Sequence, residues 1–144
     1  MGRTARAGKG GYGLLVLFPF ERNFVRRELK NLNITKNELL EQQQKQMMSI
    51  QLSHHPADDL IVNNNKYFQI AAQQAYIAFL GYYVNQIHRT NIKSKEELVH
   101  IANEMAINVF GLESIPSLTP QMVTKMKLRN IPGLIVSDEE NIEN

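Results

Sequence analysis

The sequence predicts a mainly α chain: a short α/β stretch at the N-terminus followed by an all-helical module. Three observations carry this expectation. Tyr12 to Phe18 is a near-continuous apolar run and stands alone as a strand candidate. Two segments open with capping boxes, Thr35-Lys36-Asn37-Glu38 and Ser94-Lys95-Glu96-Glu97, in which a hydroxyl accepts from the backbone and a glutamate reaches back. Between them Phe68, Ala72, Ala75, Phe79, Tyr83 and Ile87 recur at helical spacing as one apolar stripe.

The elements follow in order. Gly8-Lys9-Gly10-Gly11 supplies a flexible turn, and residues 12–18 then read as a strand buried on both faces. Pro19 ends that strand, because proline has no donor for a central ladder. Glu21 to Lys30 reads as a helix with Phe24, Val25 and Leu29 on its apolar side. Arg22, Arg26 and Lys30 recur beside them, a stripe suited to nucleic-acid phosphates but so short that an ordinary solvated face is the preferred reading. The helix opening at Thr35 runs through Leu39, Leu40 and the Gln-rich residues 42–46, polar enough for a partly exposed linker.

Residues 53–59 break the pattern, with Pro56 as punctuation. His54, His55, Asp58 and Asp59 read as a polar loop rather than a metal cluster, since adjacent histidines point differently and nothing fixes their second nitrogens. No metal site is expected. Asn63-Asn64-Asn65 offers a cap for Lys66 to Arg89, the strongest helix in the chain. Tyr67, Tyr76 and Tyr82 could stack on bases, but the preferred reading is packing at the edge of a helical core. The helix behind Ser94 carries Leu98, Ile101, Ala102, Met105, Ala106 and Val109, and Gly111 stops it. Thr119-Pro120 starts a last short helix, with Met122, Met126 and Leu128. Ile131-Pro132-Gly133-Leu134 closes the ordered part, and the methionines read as gap-fillers.

Composition narrows the classes. A length of 144 residues suits one modest domain. The absence of cysteine excludes disulfides and Cys-based zinc sites. No apolar run approaches the roughly 20 residues that cross a bilayer, so no membrane partner is expected. The net charge of +2 hides an asymmetry. Arg3, Arg6, Lys9, Arg22, Arg26, Arg27 and Lys30 crowd the first thirty residues against Glu21 and Glu28, whereas the tail holds Asp138, Glu139, Glu140 and Glu143. A basic end suits phosphate-rich ligands, and an acidic tail is usually solvated.

Phosphate chemistry concentrates in Gly2-Arg3-Thr4-Ala5-Arg6-Ala7-Gly8. Two arginines at i and i+3 place both guanidiniums on one side of a turn. The guanidinium is planar and permanently charged, and an arginine finger on a γ-phosphoryl group can be worth roughly 10³–10⁵ in rate. Spacing alone equally allows a frayed basic end in solvent. Gly8-Lys9 is not a Walker A loop: the position of its required first glycine is Arg3, and Lys9 is followed by Gly10.

The run from Gly2 to Gly8 resembles most of motif VI of the DEAD-box RNA helicases, His-Arg-x-Gly-Arg-Thr-Ala/Gly-Arg-x-Gly, without its leading His-Arg-x. Loop, buried strand, proline and helix is the order that follows that motif in the family. Phe-Glu-Arg-Asn-Phe-Val (20–25), Ala-Tyr-Ile-Ala-Phe-Leu-Gly-Tyr-Tyr (75–83), Ser-Lys-Glu-Glu-Leu (94–98) and Ile-Pro-Gly-Leu (131–134) are similar to the helical C-terminal extension of fungal mitochondrial DEAD-box helicases. Those enzymes are RNA chaperones that help introns fold.

The resemblance implies three parts: residues 1–30 as the end of the second RecA-like domain, 31–134 as the helical extension, and 135–144 as an acidic disordered tail. It implies Arg3 and Arg6 as catalytic fingers on ATP, with Gly2 and Gly8 shaping the backbone of the same nucleotide site. ATP with Mg²⁺ is then the cofactor of the intact parent and is not bound by this piece alone, which should be inactive by itself. RNA, structured or intronic, and the RecA-like domains outside this sequence are the implied partners, with no DNA. The implied location is mitochondrial, or otherwise intracellular. The alternative is a non-catalytic helical module that binds RNA or another protein.

Overall fold

The computed structural model describes Gly11, residues 13–48 and residues 65–137. A 3₁₀ turn at Pro19–Glu21 leads into α1 (Arg22–Glu28), followed by α2 (Glu38–Met48), α3 (Lys66–Val84), a 3₁₀ turn at Ile87–Arg89 and α4 (Lys95–Asn108). β1 (Ser117–Leu118), α5 (Pro120–Lys125) and β2 (Ile135–Val136) complete it. The mainly α expectation holds for the described residues.

Three of the predicted caps form. Asn65 Oδ1 accepts from the backbone amides of Tyr67 and Phe68 at 3.0 and 3.2 Å and starts α3. Ser94 Oγ accepts from Glu97 N at 3.2 Å, while Glu97 Oε2 reaches back to Lys93 N at 2.7 Å. Thr119 Oγ1 accepts from Met122 N at 3.2 Å, with Pro120 in the first turn of α5. Gly111 follows α4 with φ +64°, and Leu112 N donates to Ala106 O at 3.0 Å across it. The fourth cap moves. α2 begins at Glu38, and its amides are met by Asn37, whose Oδ1 accepts from Leu40 N at 3.1 Å, rather than by Thr35.

The core lies between α3 and α4, which pack against each other and carry Tyr76, Phe79, Leu80, Tyr83, Leu98, Val99, Ala102 and Ala106. Leu118, Val123 and Leu128 cover its C-terminal side. Leu80, Leu98, Leu118 and Leu128 are fully buried, each stabilising the fold by about 1.5–3 kcal/mol over an exposed leucine. The stripe on α3 is turned slightly from the expected one: Tyr76 is buried and Ala75 is exposed. Lys66 is the only charged residue in α3, so the sequence gives little contrast between its faces and the bulkier side chain takes the interior.

Two differences concern strands. No ladder forms at residues 13–18, the expected buried strand. Leu14, Leu15, Val16 and Phe18 are exposed instead, with no neighbouring strand among the described residues to accept their backbone. The ladder that does form is parallel and joins Ser117 to Ile135 and Leu118 to Val136. It takes in two residues beyond Leu134, where the sequence analysis closed the ordered part.

Candidate functional site

Gly2, Arg3, Arg6 and Gly8, the residues singled out for phosphate chemistry, lie outside the described residues. So do His54, His55, Asp58 and Asp59. What the structure describes is the stem that follows the Gly/Arg run and how it is fastened to the helices.

The stem, residues 13–18, forms no helix or ladder, and its last residue, Phe18, has extended backbone (φ −65°, ψ 152°). Leu14 is 68% exposed and Val16 is 80% exposed, a density of bare apolar surface that fits a segment seated against other polypeptide. Its end is tightly held. Glu21 Oε2 accepts from Phe18 N at 2.9 Å, and Glu21 Oε1 accepts from the Tyr83 hydroxyl at 2.7 Å. Asn91 N donates to Phe20 O at 2.7 Å. The Phe20 ring stacks on Phe18 at 5.1 Å and meets Phe79 and Tyr83 edge-on at 6.3 and 5.2 Å. Such aromatic contacts add about 0.5–1.5 kcal/mol each beyond area burial. Burial raises the Tyr83 hydroxyl well above its ordinary pKa, and the hydrogen bond to the Glu21 carboxylate raises it further.

α1 continues this docking. Asn23 Nδ2 donates to Thr90 O at 3.3 Å, Arg27 Nη1 donates to His88 O at 2.9 Å, and Arg89 pairs with Glu28 at 3.8 Å. Phe24, Val25 and Leu29 are half-buried, as the sequence predicts. Arg22, Arg26 and Lys30 are exposed, so the solvated-face reading fits, and the same exposure leaves them accessible to phosphates. The tyrosines divide. Tyr76 packs inside and donates its hydroxyl to Asn103 Oδ1 at 2.8 Å, while Tyr67 is 85% exposed and Tyr82 is 60% exposed.

Among the described residues no three His, Asp or Glu side chains gather as a metal site. No described helix is long and apolar enough to cross a membrane. Sequence reasoning missed the Glu21–Tyr83 link. The two residues are 62 positions apart, and nothing local in either sequence context marks the pairing.

No family model matches the sequence, and no solved structure matches the chain. Curated proteins do. DEAD-box ATP-dependent RNA helicase 31 of Arabidopsis thaliana is 36% identical over 136 residues, covering 93% of this chain and 17% of its own length. DEAD-box ATP-dependent RNA helicase 26 of the same plant is 33% identical over 141 residues, covering 93% of this chain and 14% of its own length. The mitochondrial ATP-dependent RNA helicase MSS116 of Phaeosphaeria nodorum is 30% identical over 151 residues, covering 98% of this chain and 24% of its own length. The chain therefore spans less than a quarter of the length of these relatives. Matched along more than nine-tenths of its own residues at these identities, it belongs to the DEAD-box ATP-dependent RNA helicases, as a short stretch of such a protein.

Proposed function

We propose that the chain is the C-terminal part of an ATP-dependent RNA helicase that acts as an RNA chaperone. Residues 1–30 complete the second RecA-like domain, residues 31–134 form a helical extension that supports RNA binding and remodelling, and residues 135–144 are its acidic tail. In this reading Arg3 and Arg6 are arginine fingers that neutralise charge on the γ-phosphoryl group of ATP, with Gly2 and Gly8 shaping the loop around them. ATP and Mg²⁺ are held mainly by the RecA-like domains outside this sequence, and the piece alone has no turnover. The working location is the mitochondrion, as for the fungal relative.

The observation that carries the reading is the match to DEAD-box helicases over 93% of the chain. The bare apolar stem supports it: the exposure of Leu14, Leu15 and Val16 suits a segment that pairs with a sheet of the proposed RecA-like domain.

In the helicase that carries this chain, Arg3→Ala or Arg6→Ala should lower RNA-stimulated ATP turnover by roughly 10³-fold or more while RNA affinity is retained. Unchanged turnover in both variants sinks the finger assignment. The exposure of Tyr67 and Tyr82 favours a second reading, a helical module that binds RNA without catalysis. That reading requires the chain alone to bind RNA with an affinity that falls as salt rises, and absence of binding at low salt removes it.

A further inference from the structure

We propose that α1 and the 3₁₀ turn at Ile87–Arg89 together form a binding face for the phosphates of an RNA backbone, with Arg26, Arg27, Lys30 and Arg89 as its cations. The proposal rests on the reading of this chain as an RNA-binding part of a helicase, and it assigns the contact residues.

Folding assembles this face from two segments. Arg27 and His88 are 61 positions apart, yet Arg27 Nη1 donates to the His88 carbonyl at 2.9 Å. Asn23 Nδ2 donates to the Thr90 carbonyl at 3.3 Å, so α1 lies along the turn. The same packing brings Arg89 within 3.8 Å of Glu28. Arg26 and Lys30 are exposed on the same short segment. On α1 alone the basic residues read as an ordinary solvated face. Arg89, arriving from a separate element, is what turns them into a cationic surface.

The surrounding carboxylates do not cancel it. Three guanidiniums and one ammonium meet Glu28, and the Arg89–Glu28 pair is long and half exposed, so it contributes little. Glu21 is engaged elsewhere, accepting from Phe18 N and the Tyr83 hydroxyl. Arg22 is left out, because Glu41 of α2, whose carboxyl the Lys36 hydrogen bond holds below its usual range, also feels its charge. An exposed excess of this kind gains from a partner that offers negative charges in series. Phosphates do so, guanidiniums fork onto their oxygens, and counterions released from the RNA drive the association. An acidic protein segment offers a similar series, but the chain's membership among RNA helicases favours RNA.

The full 144-residue chain is titrated with fluorescein-labelled oligouridylate and oligoadenylate across a salt series. The wild type should bind both alike, as a site that reads phosphate and not base. Arg26→Gln, Lys30→Gln and Arg89→Gln should each weaken binding roughly three- to tenfold at low salt and flatten the salt slope by about 0.7. Glu28→Gln should tighten binding about threefold, a gain that misfolding cannot produce. Lys66→Gln removes the same charge at the far end of α3, about 28 Å away along the axis, and should leave affinity unchanged. Melting temperatures should stay at the wild-type value throughout. The proposal is overturned if the wild-type chain does not bind at low salt, if Lys66→Gln weakens binding as much as the face variants, or if the losses follow melting temperature. Tighter binding of poly-glutamate than of RNA, with the same losses, also overturns it and marks a face for acidic protein. None of these outcomes touches the helicase reading, which stands or falls on ATP turnover of the Arg3 and Arg6 variants.

Discussion

The Tyr76 hydroxyl donates to Asn103 Oδ1 at 2.8 Å, and the amide nitrogen of the same Asn103 donates to the Gly133 carbonyl at 2.8 Å. One side chain on α4 thus satisfies a buried tyrosine of α3 and holds the C-terminal loop against both helices. Removing the two partners should have unequal effects. Asn103→Ala strands the Tyr76 hydroxyl in the core and should destabilise by about 1–3 kcal/mol. Tyr76→Phe removes the group that needs a partner and should cost only about 1 kcal/mol. Urea unfolding of the two variants checks the order, and an equal or reversed order contradicts it.

Gly133 adopts φ +87°, and a Cβ there would meet Asn103 Nδ2 at 3.1 Å and Val99 Cγ1 at 3.6 Å. Gly133→Ala combines a left-handed backbone with a crowded neighbour that is already hydrogen-bonded to the same residue. It should destabilise by about 1–3 kcal/mol, read as a drop in melting temperature. An unchanged melting temperature would mean that the loop can rotate without losing Asn103.

Burial raises the Tyr76 hydroxyl from 10.0 to about 12. The unfolded chain releases this proton near pH 10 while the folded chain retains it, so the unfolded state binds fewer protons in between. The contribution is fully present below pH 10 and is lost as pH rises from about 10 toward 12. Tyr83 is shifted in the same direction. Urea midpoints measured across this interval should fall with pH in the wild type and fall less in Tyr76→Phe. Parallel curves would show that the decline comes from other groups.

Asn37, and not Thr35, caps α2. Asn37→Ala should therefore lower the local stability of α2 by about 1 kcal/mol, seen as faster amide exchange at Leu39 to Glu41, whereas Thr35→Ala should leave exchange there unaltered. The opposite pattern would restore the capping box expected from the sequence.

Where local chemistry decides a feature, the sequence reveals it. Asn65, Ser94, Thr119 and Gly111 act within a turn of their own positions, and each does in the fold what its residue type suggests. Helical periodicity likewise placed Phe79 and Tyr83 on the buried face of α3. It failed by one residue at Ala75 and Tyr76, because a helix with a single charge offers periodicity little contrast and packing volume decides. Val99 was missed on α4 for a similar reason, its face being fixed by the fit against α3. The parallel ladder escaped notice because two-residue strands carry no alternation to read. Arg3 and Arg6 are legible as a motif and lie outside the described residues. The tie between Glu21 and Tyr83 is a long-range pairing that only the folded chain brings together.

The parallel pairing of Ser117–Leu118 with Ile135–Val136 also decides where this polypeptide can be cut. Ser137 N still donates to Leu118 O at 2.9 Å, so among the described residues the last backbone amide held by the module belongs to residue 137. A stop placed after Leu134 would remove Ile135 and Val136, unzip the loop and leave the buried Leu118 beside an unprotected edge.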